Sequence, residues 1–292
     1  MIFLAKVCRC RNRKHDGELL RYTGLDRHGY ANNLGFSEAL NLEGRPFPQG
    51  AFGGRNYIPM SALFRDELEI EASNIDGALG DAIQGKCEEI AQIVSQGRGD
   101  ALRSVVARSF CEIFRNTFEH GGSDSAVFCA QYWPNKEVVE ICIADRGMGI
   151  MESLQESKHT KPENDREALY LSLMPGVSSK AWRHKKKRSH QKSVWDNAGY
   201  GLFFSHQLFG NLGSFFIASE GHALSIQPKQ FDDFECRIEG TLVSMMLDLS
   251  DEQALESQIK YIADLAAKVK QRIGVKSICF ESVQGFLQSG EI

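Results

Sequence analysis

The sequence predicts an α+β fold, and three observations predict it. Asp100–His120 carries apolar residues at Leu102, Val105, Val106, Phe110, Ile113 and Phe114, the period of a helix with one face in a core. Ser125–Trp133 and Glu137–Ala144 alternate apolar and polar residues and are rich in aromatic and β-branched side chains; Pro134-Asn135-Lys136 between them makes an antiparallel hairpin. Past residue 200 the chain reads as a helix through Phe203, Phe204, Leu208 and Phe209, then three strands at Ser214–Ser219, Ala223–Ile226 and Gly240–Leu249.

A chain of 292 residues makes one large domain or two ordinary ones, and 42% hydrophobic with 25% charged residues fits a globular protein whose core needs no staples. The net charge of -4 gives no clear nucleic-acid signal. No apolar run approaches the roughly 20 residues that span a bilayer. Met1–Ala5 is too short for a secretory signal, and the basic residues follow it, so the expected location is cytoplasmic. The eight cysteines are scattered, mostly in apolar surroundings such as those of Cys111, Cys129 and Cys142, as expected of reduced thiols. Cys8, Cys10 and His15 have metal-like spacing but lack a second pair.

In order, residues 1–99 form an N-terminal region of unassigned role. A short strand is expected at Ile2–Cys8, a helix N-capped by Ser61 through Leu63, Phe64 and Leu68, and a helical stretch from Ile75 to Val94. Ser95–Gly99 is a linker or helix stop, and Asp100 is the expected cap of the next helix. Gly121-Gly122 ends that helix. Residues 250–292 hold an amphipathic helix over Asp251–Ile273 and a closing strand at Val275–Glu281. The helix seam through Leu255, Ile259, Ile262, Ala266, Val269 and Ile273 fits packing on its own domain better than a dimer.

Four stretches carry the chemistry. Glu112 and Asn116 stack one turn apart, with Glu119 and His120 continuing that face. A carboxylate over a carboxamide suits a hydrated Mg²⁺ and a water beside a phosphate, although the pair also fits a solvated face with Arg115 as ion-pair partner. Asp145-Arg146-Gly147-Met148-Gly149-Ile150 follows a strand directly, and its glycines let backbone approach a ligand, or simply turn into a helix. Residues 151–198 read as a long lid with helical pieces at Met151–Ser157 and Asp165–Met174. The basic run Arg183–Arg188 in it is a solvated charge patch, a source of a lysine for polyphosphate, or an acidic-partner surface. Gly199-Tyr200-Gly201-Leu202 opens a helix whose first N–H groups suit phosphate.

Taken as an ordered set, these motifs and the late strand opening Gly240-Thr241 resemble the GHKL superfamily of ATP-binding proteins (gyrase, heat-shock chaperones, histidine kinases, MutL) over residues 100–249. The string from Asn116 to Gly121 looks most like anti-sigma-factor kinases and related stand-alone ATP-binding proteins. The resemblance implies a Bergerat fold, a two-layer α/β sandwich with a mixed, mainly antiparallel sheet, binding ATP and Mg²⁺. It implies that Asn116 coordinates Mg²⁺ and that Asp145 accepts a hydrogen bond from the adenine amino group. Gly147, Gly149 and Ile150 close on the base with Thr241 behind it, while Gly199, Gly201 and Leu202 present N–H groups to the phosphates. Glu112 matches the general base, and Lys180 or the basic run is the expected lysine for the terminal phosphate. Phe203 and Phe204 stand where the family has small residues, and no phosphoacceptor histidine hairpin precedes the core. The expected activity is a slow ATPase acting as a conformational switch, with a protein partner or a homodimer. The alternatives are a Ser/Thr protein kinase of the anti-sigma-factor type and a non-catalytic nucleotide sensor.

Overall fold

A computed structural model describes residues 29–35, 56–95, 98–155, 161–177, 200–273 and 280–288. Its centre is a seven-stranded sheet in the order β1-β2-β3-β7-β4-β5-β6. The strands are β1 (Tyr57–Phe64), β2 (Ser125–Trp133), β3 (Val138–Asp145), β4 (Gly213–Ser219), β5 (His222–Gln227), β6 (Gln230–Glu235) and β7 (Thr241–Asp248). Every pairing among the described residues is antiparallel, which narrows the mixed sheet implied by the resemblance. Short turns reverse the chain at β2–β3, β4–β5 and β5–β6, and β7 returns between β3 and β4.

The helices are α1 (Gly29–Asn33), α2 (Arg65–Asn74), α3 (Leu79–Val94), α4 (Asp100–Arg115), α5 (Gly149–Gln155), α6 (Asp165–Ser172), α7 (Gly201–Leu212), α8 (Glu252–Ile273) and α9 (Phe280–Gln288). Because strand side chains alternate faces, Phe128, Ile141, Ile143, Val243, Phe215 and Leu224 join one core with Phe110, Phe114 and Phe203 of α4 and α7. The T-shaped contacts of Phe128 with Phe110 (5.9 Å between centroids) and Phe114 (5.4 Å) fix α4 on β2. The opposite sheet face holds a smaller cluster of Ala144, Ala218, Ala223, Ile238 and Leu242, edged by Val127, Cys129, Cys142 and Phe216. The same large core takes in Ile58 and Leu63 of β1 and Ile83, Ile90 and Val94 of α3, so packing is continuous across residue 99.

Several local expectations change. Ser61 lies in β1 and its hydroxyl donates to Pro59 O at 3.0 Å; pairing with β2 overrides the local helix signal, and α2 begins at Arg65 with Asp66 and Glu67 in its first turn. Gly99 is the N-cap of α4, while Asp100 sits inside the first turn and pairs with Arg103 at 3.0 Å. The stretch from Ile75 divides, its first residues turning the chain before α3 begins at Leu79. Gly213, one residue before the expected strand start at Ser214, is the first residue of β4: a Cβ there would strike the Met246 carbonyl, so glycine lets α7 run straight into the sheet. β6 has no counterpart in the sequence reading. The strand expected at Val275–Glu281 falls partly outside the described residues, and its last two residues open α9 instead. The Ile2–Cys8 strand and the Cys8, Cys10, His15 trio also lie outside them.

Leu255, Ile262, Ala266 and Val269 of α8 are buried by the chain itself, with α8 against α7. That is the own-domain packing expected of the seam. Among the described residues no helix is long and apolar enough to cross a membrane.

Candidate functional site

The site begins where α4 changes pitch. Its apolar face, from Leu102 to Phe114, is locked in the core, so the opposite face is presented at a fixed angle. After Arg115 the helix widens into a π turn over Asn116–His120, closed by Gly121 N–H donating to Asn116 O at 2.6 Å. Such turns redirect the side chains around them. Asn116 N–H still donates to Glu112 O, so Glu112 and Asn116 remain one turn apart, as their spacing predicts. Glu119 departs from that face: its carboxylate lies beside Arg115 over Gly80, at the start of α3.

Glu112 faces α7. A Cβ on Gly201 would overlap the Glu112 carboxyl group and Cγ, so the carboxylate rests against the first turn of that helix. Tyr200 makes no side-chain cap there, and Phe204 N–H, bonded to Tyr200 O at 2.8 Å, starts the helical ladder. The N–H groups of the first turn lie ahead of that ladder, at the positive end of the helix dipole. Leu202 packs its side chain partly against the core and contributes backbone at this end. Gly199 and Lys180 lie outside the described residues, as do the basic run and most of the expected lid.

Asp145 ends β3 and is buried. Its Oδ2 accepts from the Thr117 hydroxyl at 3.0 Å; its Oδ1 accepts from Gly147 N–H at 2.9 Å and Thr241 N–H at 3.2 Å. Three stretches distant in sequence therefore converge on one carboxylate. Gly147 is required by the approach of the α4 end, because a Cβ there would stand 2.5 Å from Gly121 O, and Met148 N–H donates to that carbonyl at 3.0 Å. Gly149 has φ +75° and starts α5, whose Ile150 N–H donates to Ser219 Oγ at 2.9 Å. Thr241 faces Ser219 across β4–β7, with their hydroxyls 3.4 Å apart.

At the β5–β6 edge of the sheet α6 is pinned by side-chain bonds to Asp233. Arg166 Nε donates to Asp233 Oδ2 at 2.6 Å, Tyr170 OH donates to the same oxygen at 2.7 Å, and His222 Nε2 bonds Oδ1. Burial opposes ionisation of Asp233, but the bonds from His222, Tyr170 and Arg166 hold its carboxyl below the ordinary value. Burial and the bond to Asp233 push the Tyr170 hydroxyl above its ordinary value.

The structure thus joins Glu112 to Gly201, and Asp145 to Gly147 and Thr241, with Asn116 and Thr117 as neighbours between the two groups. Thr117, Ser219 and Glu220 were invisible to motif reasoning. A hydroxyl inside an apolar helix gives no sign of a partner, and Ser219-Glu220 meets the glycine loops only through sheet pairing. Among the described residues no three His, Cys, Asp or Glu side chains form a metal cage. Set against protein-family models, curated proteins and solved structures, the chain finds no match.

Proposed function

We propose that this protein binds Mg·ATP in a Bergerat-type pocket and hydrolyses it slowly as a nucleotide-driven switch. One observation carries the reading: four motifs far apart in sequence, at Glu112–Thr117, Asp145–Gly149, Gly201 and Thr241, meet around the end of α4. The residues fit the ligand. Asp145 is a buried carboxylate held by the Thr117 hydroxyl and the N–H groups of Gly147 and Thr241, a suitable acceptor for an adenine amino group. Gly147, Gly149 and Ile150 bring backbone to the base edge, with Thr241 behind it. Gly201 and Leu202 open a helix of twelve residues, whose first N–H groups suit phosphate. Magnesium usually keeps its waters and takes one or two protein ligands plus phosphate oxygens, so Asn116 alone is a sufficient protein ligand. Bound Mg²⁺ supplies charge neutralisation at the phosphates. Glu112 accepts the proton of a water that attacks the terminal phosphorus, releasing ADP and phosphate.

Phosphate release from Mg·ATP, measured over a range of protein concentrations beside Glu112→Ala, tests this. Slow turnover is expected in the native protein and loss of at least ~100-fold in the variant, with binding retained. Undiminished turnover in the variant removes Glu112 from the chemistry. Failure of the native protein to bind Mg·ATP refutes the nucleotide reading, and phosphate found on a protein instead of in solution turns it to the kinase alternative.

A further inference from the structure

Ser219, Glu220, Gly221 and His222 turn β4 into β5, with Ser219 paired to His222 across a two-residue loop. Glu220, the first loop residue, has φ +50°. Both primed turn types need positive φ there and favour Gly, Asn or Asp, because a longer side chain pays a steric cost in the left-handed region. Its side chain is engaged. Oε1 accepts from Gly240 N–H at 2.7 Å, and a Cβ on Gly149 would stand 2.7 Å from its Cγ. Its backbone joins the same stretch: Glu220 N–H donates to Gly240 O at 3.3 Å, and Ile238 N–H donates to Glu220 O at 2.8 Å.

Gly240 is itself left-handed, at φ +71°, and a Cβ on it would stand 2.6 Å from Asp145 O. One side chain therefore touches both glycine loops that flank Asp145: the loop entering α5 and the loop entering β7. We propose that Glu220 is a positioning residue for the nucleotide pocket, setting the separation of these loops and with it the aim of Asp145 and Thr241. The proposal rests on the nucleotide reading above. It explains why a glutamate holds a turn position that glycine would occupy without strain.

The test uses the full chain with Glu220→Gly, Glu220→Gln and, as a control, Lys229→Gly. Lys229 has φ +66° in the next hairpin and is exposed, so its substitution relieves the same backbone conformation away from the pocket. Mg·ATP binding is followed by calorimetry, folding by the melting midpoint, and the loops by amide exchange at Gly240. Glu220→Gly is expected to weaken binding about tenfold, the loss of one charge-assisted hydrogen bond, with no fall in melting midpoint and faster exchange at Gly240. Glu220→Gln, which keeps an acceptor, binds within about threefold of the native protein, and Lys229→Gly binds as the native protein does. The proposal is overturned if Glu220→Gly binds Mg·ATP as tightly as the native protein, or if affinity and melting midpoint fall together. If the native protein binds no Mg·ATP the functional reading fails, and amide exchange decides for Glu220: faster exchange in Glu220→Gly sustains the clamp, unchanged exchange ends it.

Discussion

Asp145 shows how much one buried group decides. A carboxylate out of water needs donors, and the described residues supply Asp145 with the Thr117 hydroxyl and the N–H groups of Gly147 and Thr241. Thr117 is the replaceable one. Thr117→Val keeps the shape but leaves a buried oxygen without that donor, so a stability loss of about 1–3 kcal/mol is expected in urea unfolding. Thr117→Ser keeps the hydroxyl and should lose less than half as much, through its missing methyl alone. Equal losses would show that packing, not the hydrogen bond, is what Thr117 supplies. The sequence made Asp145 conspicuous because strand, acid and paired glycines stand side by side. Thr117 has no such signature: its hydroxyl, on a helical turn, matters through a partner at the end of a strand, and periodicity describes faces, not contacts.

At the scale of elements, the glycines differ in what they accommodate. Gly147 is pressed against the Gly121 carbonyl, and neither backbone can yield. Gly201 is pressed against the flexible end of Glu112, which can. Gly147→Ala should therefore lower stability by about 1–3 kcal/mol in urea unfolding, the usual cost of overpacking. Gly201→Ala should stay within about 1 kcal/mol of the native protein, because a side-chain end moves more cheaply than backbone, yet reduce phosphate release by displacing Glu112. If Gly201→Ala turns over at the native rate, the contact with Glu112 is irrelevant to the chemistry. Element types followed the same division between local and distant causes. β2, β3 and the helix made by α4 with its π turn are legible within a residue or two, because each buries one regular face; the change of pitch at Asn116 is not. β6, with Asp232, Asp233 and Glu235, is an edge strand whose polar residues hide its period. β1 looked helical at Ser61 because only pairing with β2 makes it a strand.

The whole molecule is arranged around α7, which packs against α4, α8, β4, β5 and β7, so even its polar residues Ser205, His206 and Gln207 are buried. The helix that presents its N-terminus to the site thus has little freedom to move without disturbing the core. His206 makes this dependence measurable. Its Nδ1–H donates to Leu202 O at 3.1 Å and its Nε2 accepts from Gln207 at 2.9 Å, which fixes a neutral ring. Burial draws its pKa down to about 4, against the partial opposition of the Leu202 carbonyl. An unfolded histidine takes up its proton near pH 6.5, and the folded one does so only near pH 4. Stability from the neutral ring is therefore complete above about pH 6.5 and is lost as pH falls towards 4, where the unfolded chain binds the extra proton. Between pH 7.5 and 5 this amounts to about 2 kcal/mol. Urea unfolding of the native protein and His206→Gln over that range isolates it, because the carboxylates titrate alike in both and cancel in the difference. The native protein's advantage over the variant should shrink by about 2 kcal/mol as pH falls. Parallel stability curves would mean that the ring protonates inside the fold as readily as outside, and that α7 is far less tightly enclosed than its packing indicates.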